Sequence, residues 1–216
     1  MPTDNADARG VDPARRPIAS REAGWAKAIA ARLAASSVTP NQISGVSVLF
    51  AALGCALIAC LGDPLGWIGA AFCVQLRLVC NLLDGMVAIE GGKKSAVGAI
   101  WNEFPDRVAD TLLLVPVGYA AGLEWAGWAA ALLAALTAYV RVFGGSLGLT
   151  QDFSGVMAKQ RRMALLTAGL VAQSVEWTFS DTRWSLTVVI VLIIAGSAVT
   201  CWTRTAAIAR ELEARR

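Results

Sequence analysis

The sequence predicts an all-α polytopic membrane protein, six transmembrane helices preceded by an amphipathic interfacial helix. Three observations carry that prediction. The 216 residues are 56% hydrophobic and 16% charged, with a mean hydropathy of +0.55; soluble domains hold about 25% charged residues. Apolar stretches recur at 43–61, 66–89, 97–121, 125–148, 163–179 and 184–203, close to the roughly 20 residues that cross a bilayer. Lysine and arginine gather in alternate connections.

Residues 1–17, rich in Asp, Ala, Arg and Pro, read as a disordered cytoplasmic arm. The segment 18–38 follows, with Trp25, Ile29 and Leu33 on one helical stripe and Lys27 and Arg32 largely off it. A helix so patterned lies in the membrane interface. Thr39, Pro40 and Asn41 then punctuate the start of a transmembrane domain over 39–205, and 206–216 form a basic tail. Basic residues fill the arm, the second connection (Lys93, Lys94), the fourth (Lys159, Arg161, Arg162) and the tail. The first and third connections have none, and the fifth has Arg183 alone. The positive-inside rule therefore puts both termini in the cytoplasm. In a prokaryote the chain would sit in the inner membrane.

Composition also excludes functions. Without histidine there is no His-based acid–base pair, triad or metal site. The net charge of +3 is too small to suggest nucleic acid. The cysteines, at 55, 60, 73, 80 and 201, have no CxxC spacing and read as small apolar side chains.

The informative segment is NLLDGMVAIEGGKKSAVGAIWNEFPDRVAD, residues 81–110. It sets Asp84, Glu103, Asp106 and Asp110 near membrane depth, where each ionised group costs about 2.5 to 3.5 kcal/mol on insertion scales. Asn81 and Asp84 lie three residues apart, and Gly98, Asn102, Asp106 and Asp110 recur every fourth residue on one stripe. A short connection makes the two spans antiparallel neighbours with facing polar stripes. Oxygen ligands gathered this way suit Mg²⁺ or Mn²⁺. Gly85, Ala88 and Gly98 leave room for a phosphorylated group to approach the backbone. Arg77, one turn before Asn81, is expected to neutralise Asp84 or Asp110.

This pattern resembles the signature of the CDP-alcohol phosphotransferase family, D-x-x-D-G-x-x-A-R, eight residues, G-x-x-x-D-x-x-x-D. The spacing from Asp84 through Gly98 to Asp106 is met without insertion or deletion. The TPN stretch, the preceding amphipathic helix and GVMAKQRRMA before the fifth span resemble the family too, so the likeness covers about residues 15 to 205. It implies metal-binding positions at Asn81, Asp84, Asn102 and Asp106, a base at Asp106, and a nucleotide pocket lined by Gly85, Ala88 and Gly98. Asp110 stands as the second candidate base. Arg141, Lys159 and Arg162 are candidate contacts to the acceptor or its phosphate. The implied reaction transfers a phosphoalcohol group from a CDP-alcohol, in first place CDP-diacylglycerol, to a polar alcohol with release of CMP, in phospholipid biosynthesis. A homodimer in the bilayer is also implied.

Three departures stand out. Asn81 and Asn102 replace aspartates, and Ile89 replaces the arginine. Two negative charges are thereby lost from the expected metal site. The run DRVAD allows a competing register built on Asp106 and Asp110, displaced about 6 Å along the helix at about 1.5 Å per residue. A non-catalytic relative and a small cation transporter are the alternative readings.

Overall fold

The computed structural model describes residues 19–215, and within them every regular element is helical. The arm at 1–17 lies outside the described residues. A 3₁₀ turn at Ala19–Glu22 leads into α1 (Gly24–Ala35). Six longer helices follow: α2 (Pro40–Cys60), α3 (Pro64–Glu90), α4 (Gly98–Ala120), α5 (Glu124–Ser146), α6 (Lys159–Trp177) and α7 (Trp184–Ala214).

Local chemistry sets where these helices begin. Thr39 and Gln42 form a reciprocal capping box, each side chain accepting from the other's backbone N–H, with Pro40 at the first helical position. Asp63 caps α3 by accepting from the Gly66 N–H at 2.7 Å, again followed by proline. At the α4–α5 turn, a Cβ on Gly118 would meet the Gly127 nitrogen at 2.4 Å. Only glycine allows those two backbones to touch.

Packing runs α3–α2–α4–α5–α7–α6 and back to α3, which closes a ring of six helices. Its apolar core unites Trp67 and Val74 of α3, Leu113 and Leu114 of α4, Ala130 of α5, Leu166 and Leu170 of α6, and Ile190 and Ile193 of α7. A second, smaller cluster docks Ala26 and Ala30 of α1 onto Met86 and Val87 of α3. Trp25 and Ile29 remain half exposed on a neighbouring face of α1. Lys93 fastens this helix by donating to the carbonyls of Leu33, Ser36 and Val38.

The structure modifies four expectations. Only α2, α3, α5 and α7 are long and apolar enough to cross a membrane by length and composition. The reason is charge: α4 holds Glu103, Asp106, Arg107 and Asp110, and α6 holds Lys159, Arg161, Arg162 and Glu176. Second, α3 packs on α2, α6 and α1 rather than closely on α4. Their polar stripes still meet, through long side chains that bridge the space between them. Third, α6 begins at Lys159, so the basic cluster expected in a connection forms a helical first turn. Fourth, α7 continues to Ala214, through most of the expected tail.

Gln173 and Glu176, which interrupt the fifth apolar stretch, have a local task. The Gln173 amide donates to the Thr182 carbonyl at 2.9 Å. The Glu176 carboxylate accepts from the N–H groups of Trp184 and Ser185, at 2.9 and 2.8 Å, and from the Thr182 hydroxyl. These bonds satisfy the open N-terminus of α7.

Candidate active site

Three carboxylates and three cations meet inside the ring, at the end where α1 docks. Asp110, on α4, is 1% exposed and receives two guanidinium groups: Arg77 Nη2 at 2.7 Å and Arg162 Nη2 at 2.6 Å. Arg77 and Arg162 are themselves 0% and 1% exposed. One turn earlier, Asp106 accepts from Asn81 Nδ2 at 3.0 Å, from Arg77 Nη2 at 3.3 Å and from the Lys159 ammonium. Asp84, on α3, accepts from the Ser44 hydroxyl of α2 at 2.7 Å. The charge that looked uncompensated in the sequence is thus balanced by Arg77, Lys159 and Arg162, which is the condition for keeping carboxylates dry.

The expected site residues divide clearly. Asn81, Asp106, Asp110, Lys159 and Arg162 join one hydrogen-bonded network with Arg77, and Asp84 lies one turn beyond Asn81 on α3. Gly85 and Ala88 are half buried on the same helix. The Arg21 guanidinium would lie 3.5 Å from a Cβ at Gly85. Gly98 opens α4 beside Ser95. Asn102 is exposed and makes no hydrogen bond. Arg141 stands apart on Glu103, with contacts of 2.6 and 2.7 Å, and lies over the Phe153 ring. Sequence reasoning missed Ser44. Nothing in the spacing of a serine one turn after the Thr39 cap shows that it reaches α3, forty residues on.

Among the described residues, no three of His, Cys, Asp and Glu gather as a ready metal site. The oxygen donors here are the carboxylates of Asp84 and Asp106 with neighbouring amide and hydroxyl oxygens. That set fits Mg²⁺ or Mn²⁺ at a phosphate site, because such ions need one or two carboxylates and keep waters and substrate oxygens as the rest. The connection that leads into Lys159 is also fixed. Arg204 donates to the Ser154 carbonyl at 2.5 and 3.0 Å. Burial would raise the Asp152 carboxyl, but hydrogen bonds from Ser154 hold it below the ordinary carboxylate range.

No protein-family model matches the chain. Curated relatives do. The Inner membrane protein YnbA of Escherichia coli is 24% identical over 72% of this chain and 79% of its own length. The Phosphatidylinositol phosphate synthase of Mycobacteroides abscessus is 25% identical over 77% of this chain and 79% of its own. The Bifunctional IPC transferase and DIPP synthase of Rubrobacter xylanophilus is 33% identical over 61% of this chain, which spans only 31% of that longer protein. Among solved structures, the Mycobacterium tuberculosis phosphatidylinositol phosphate synthase PgsA1 with CDP-DAG bound superposes with a TM-score of 0.69 at 20% identity, covering 85% of this chain and 92% of that one. The same enzyme in complex with manganese and citrate gives 0.71 at 20% identity, covering 85% and 88%. This is a membrane protein with the fold and the motif spacing of the CDP-alcohol phosphotransferase family.

Proposed function

We propose that the chain is a metal-dependent phosphotransferase that moves a phosphatidyl group from CDP-diacylglycerol to a polar alcohol and releases CMP. The observation that carries this reading is Asp106. Its carboxylate is held between Asn81, Arg77 and Lys159 beside Asp84, within the family's motif and fold. The names of the relatives, and the CDP-DAG and manganese in the PgsA1 structures, point the same way.

Asp84 and Asp106, with the amide oxygens of Asn81 and Asn102, would hold Mg²⁺ or Mn²⁺. When bound, the ion neutralises phosphate oxygens of the donor and of departing CMP. Asp106 accepts the proton of the attacking hydroxyl, while Asp110, the second candidate base, has both oxygens committed to Arg77 and Arg162. Lys159 pairs with Asp106 and, once the substrate arrives, offers an ammonium to a phosphate oxygen. Gly85, Ala88 and Gly98 line the nucleotide's approach. Arg162 secures Asp110, while Arg141 positions Glu103 at the edge where an acceptor phosphate would enter.

The same reading includes six spans, α4 and α6 being admitted because Asp106, Asp110, Lys159 and Arg162 face the ring rather than lipid. Both termini face the cytoplasm, α1 lies in the interface, and two copies pair through small-residue faces away from the acidic cluster. Incubating membranes with labelled CDP-diacylglycerol and a panel of polyols tests the reaction. A labelled phosphatidyl-polyol formed together with CMP supports it, and labelled donor left intact under every acceptor contradicts it. A single-copy mass in lipid would reject the dimer.

A further inference from the structure

At the far end of the bundle, a cavity of about 610 Å³ opens among α2, α3, α4, α5 and the α6–α7 connection. Its wall reaches up α4 to Thr111, but its Arg183 end lies away from the carboxylates: α6 runs from Lys159 at the site to Trp177 at this end, about 27 Å at about 1.5 Å per residue. Most of its wall is apolar, with Ala59, Val115, Tyr119 and Trp128 among the lining residues. Two polar groups in that wall lack acceptors. The Trp67 indole N–H is unpartnered in a side chain 1% exposed, and Arg183 Nη1 is buried without a hydrogen-bond partner.

Arg183 is held in place rather than neutralised. Its guanidinium lies between two indoles, 5.7 Å from the centroid of the Trp67 ring and 4.3 Å from that of Trp177. No carboxylate pairs with it among the described residues. Glu176, on the same end of α6, spends both oxygens on the start of α7 and on Thr182. A fixed cation with an open N–H, a buried indole N–H and an adjoining apolar cavity together ask for one kind of occupant. It must bring an anionic oxygen and a hydrocarbon chain.

We propose that this cavity binds an anionic phospholipid, with an acyl chain against Val115 and Trp128 and the phosphate on Arg183. The occupant is neither donor nor acceptor, because its phosphate, on Arg183, sits at the opposite end of α6 from Lys159 and Asp106. In the topology proposed above it comes from the leaflet opposite the reaction. The proposal stands on the membrane location alone and survives failure of the proposed chemistry.

Native mass spectrometry of the delipidated full chain, titrated with phosphatidylglycerol or phosphatidylcholine, tests it. Wild type should retain phosphatidylglycerol in preference to phosphatidylcholine. Arg183→Gln should weaken phosphatidylglycerol about tenfold, as expected for a charge-assisted hydrogen bond. Arg183→Lys should keep the preference, and Ala59→Phe, which fills the cavity, should weaken both lipids. Arg210→Gln, on the exposed end of α7, should change nothing. Equal retention of the two lipids by wild type would overturn the proposal. So would retention that neither Arg183→Gln nor Ala59→Phe alters.

Discussion

Arg77 of α3 and Asp110 of α4 form an ion pair of 2.7 Å in which both side chains are fully buried. The pair joins two helices that do not pack closely on each other, and it explains how α4 carries its charges. Asp110 is committed on both oxygens, to Arg77 and to Arg162. Asp106, one turn away, is held by an amide, an ammonium and a longer contact to Arg77 at 3.3 Å, which substrate or metal can displace.

Asp110 is therefore expected to act on stability first. Asp110→Ala strands two buried guanidinium groups, and breaking such a pair costs about 3 to 5 kcal/mol. Denaturation in detergent should show that loss, while Asp106→Asn leaves stability within about 1 kcal/mol of wild type. An Asp110→Asn protein that folds normally but loses as much CMP release as Asp106→Asn would instead establish the displaced register.

Asp84→Ala and Asp106→Ala should abolish CMP release in protein that still inserts and purifies. Ser44→Ala should be milder. Its hydroxyl orients Asp84 through one hydrogen bond of 2.7 Å, worth about 1 kcal/mol, or roughly fivefold in rate. Full activity of either aspartate variant would remove Asp84 and Asp106 from the chemistry.

The two asparagines predict a metal effect. Asn81 now donates its amide to Asp106, and the Asn102 side chain is exposed with no hydrogen bond among the described residues. Changing both to aspartate adds two charges beside the site, and charge interactions grow as the dielectric falls. The half-saturating concentration of Mg²⁺ or Mn²⁺ for CMP release should drop in Asn81→Asp/Asn102→Asp. An unchanged curve would mean that neither asparagine touches metal.

Much of this arrangement was legible in the sequence because it rests on period and spacing. The four-residue steps from Gly98 to Asp110 placed the acidic stripe, and the Thr39–Gln42 cap marked the start of α2. Arg77 could be assigned an acidic partner but not the right one of two, since Asp84 and Asp110 lie within similar reach on paper. What stayed hidden depends on three-dimensional pairing. Nothing local shows that Ser44 of α2 reaches Asp84, that Arg141 is taken by Glu103, or that Lys159 opens α6 and points at Asp106. Length and composition alone mark four helices as spans, not six, for a related reason. Hydropathy averages each helix over its whole circumference, whereas the charges of α4 and α6 are satisfied on one side only.

The most direct test of the account is CMP release from CDP-diacylglycerol by the purified chain, with and without Mg²⁺ or Mn²⁺, beside an ion-flux assay in proteoliposomes. The account predicts release that requires metal and an acceptor alcohol, disappears in Asp106→Asn, and comes with no ion flux. Metal-independent release, release that survives Asp106→Asn, or ion flux without any release from a folded protein would contradict it.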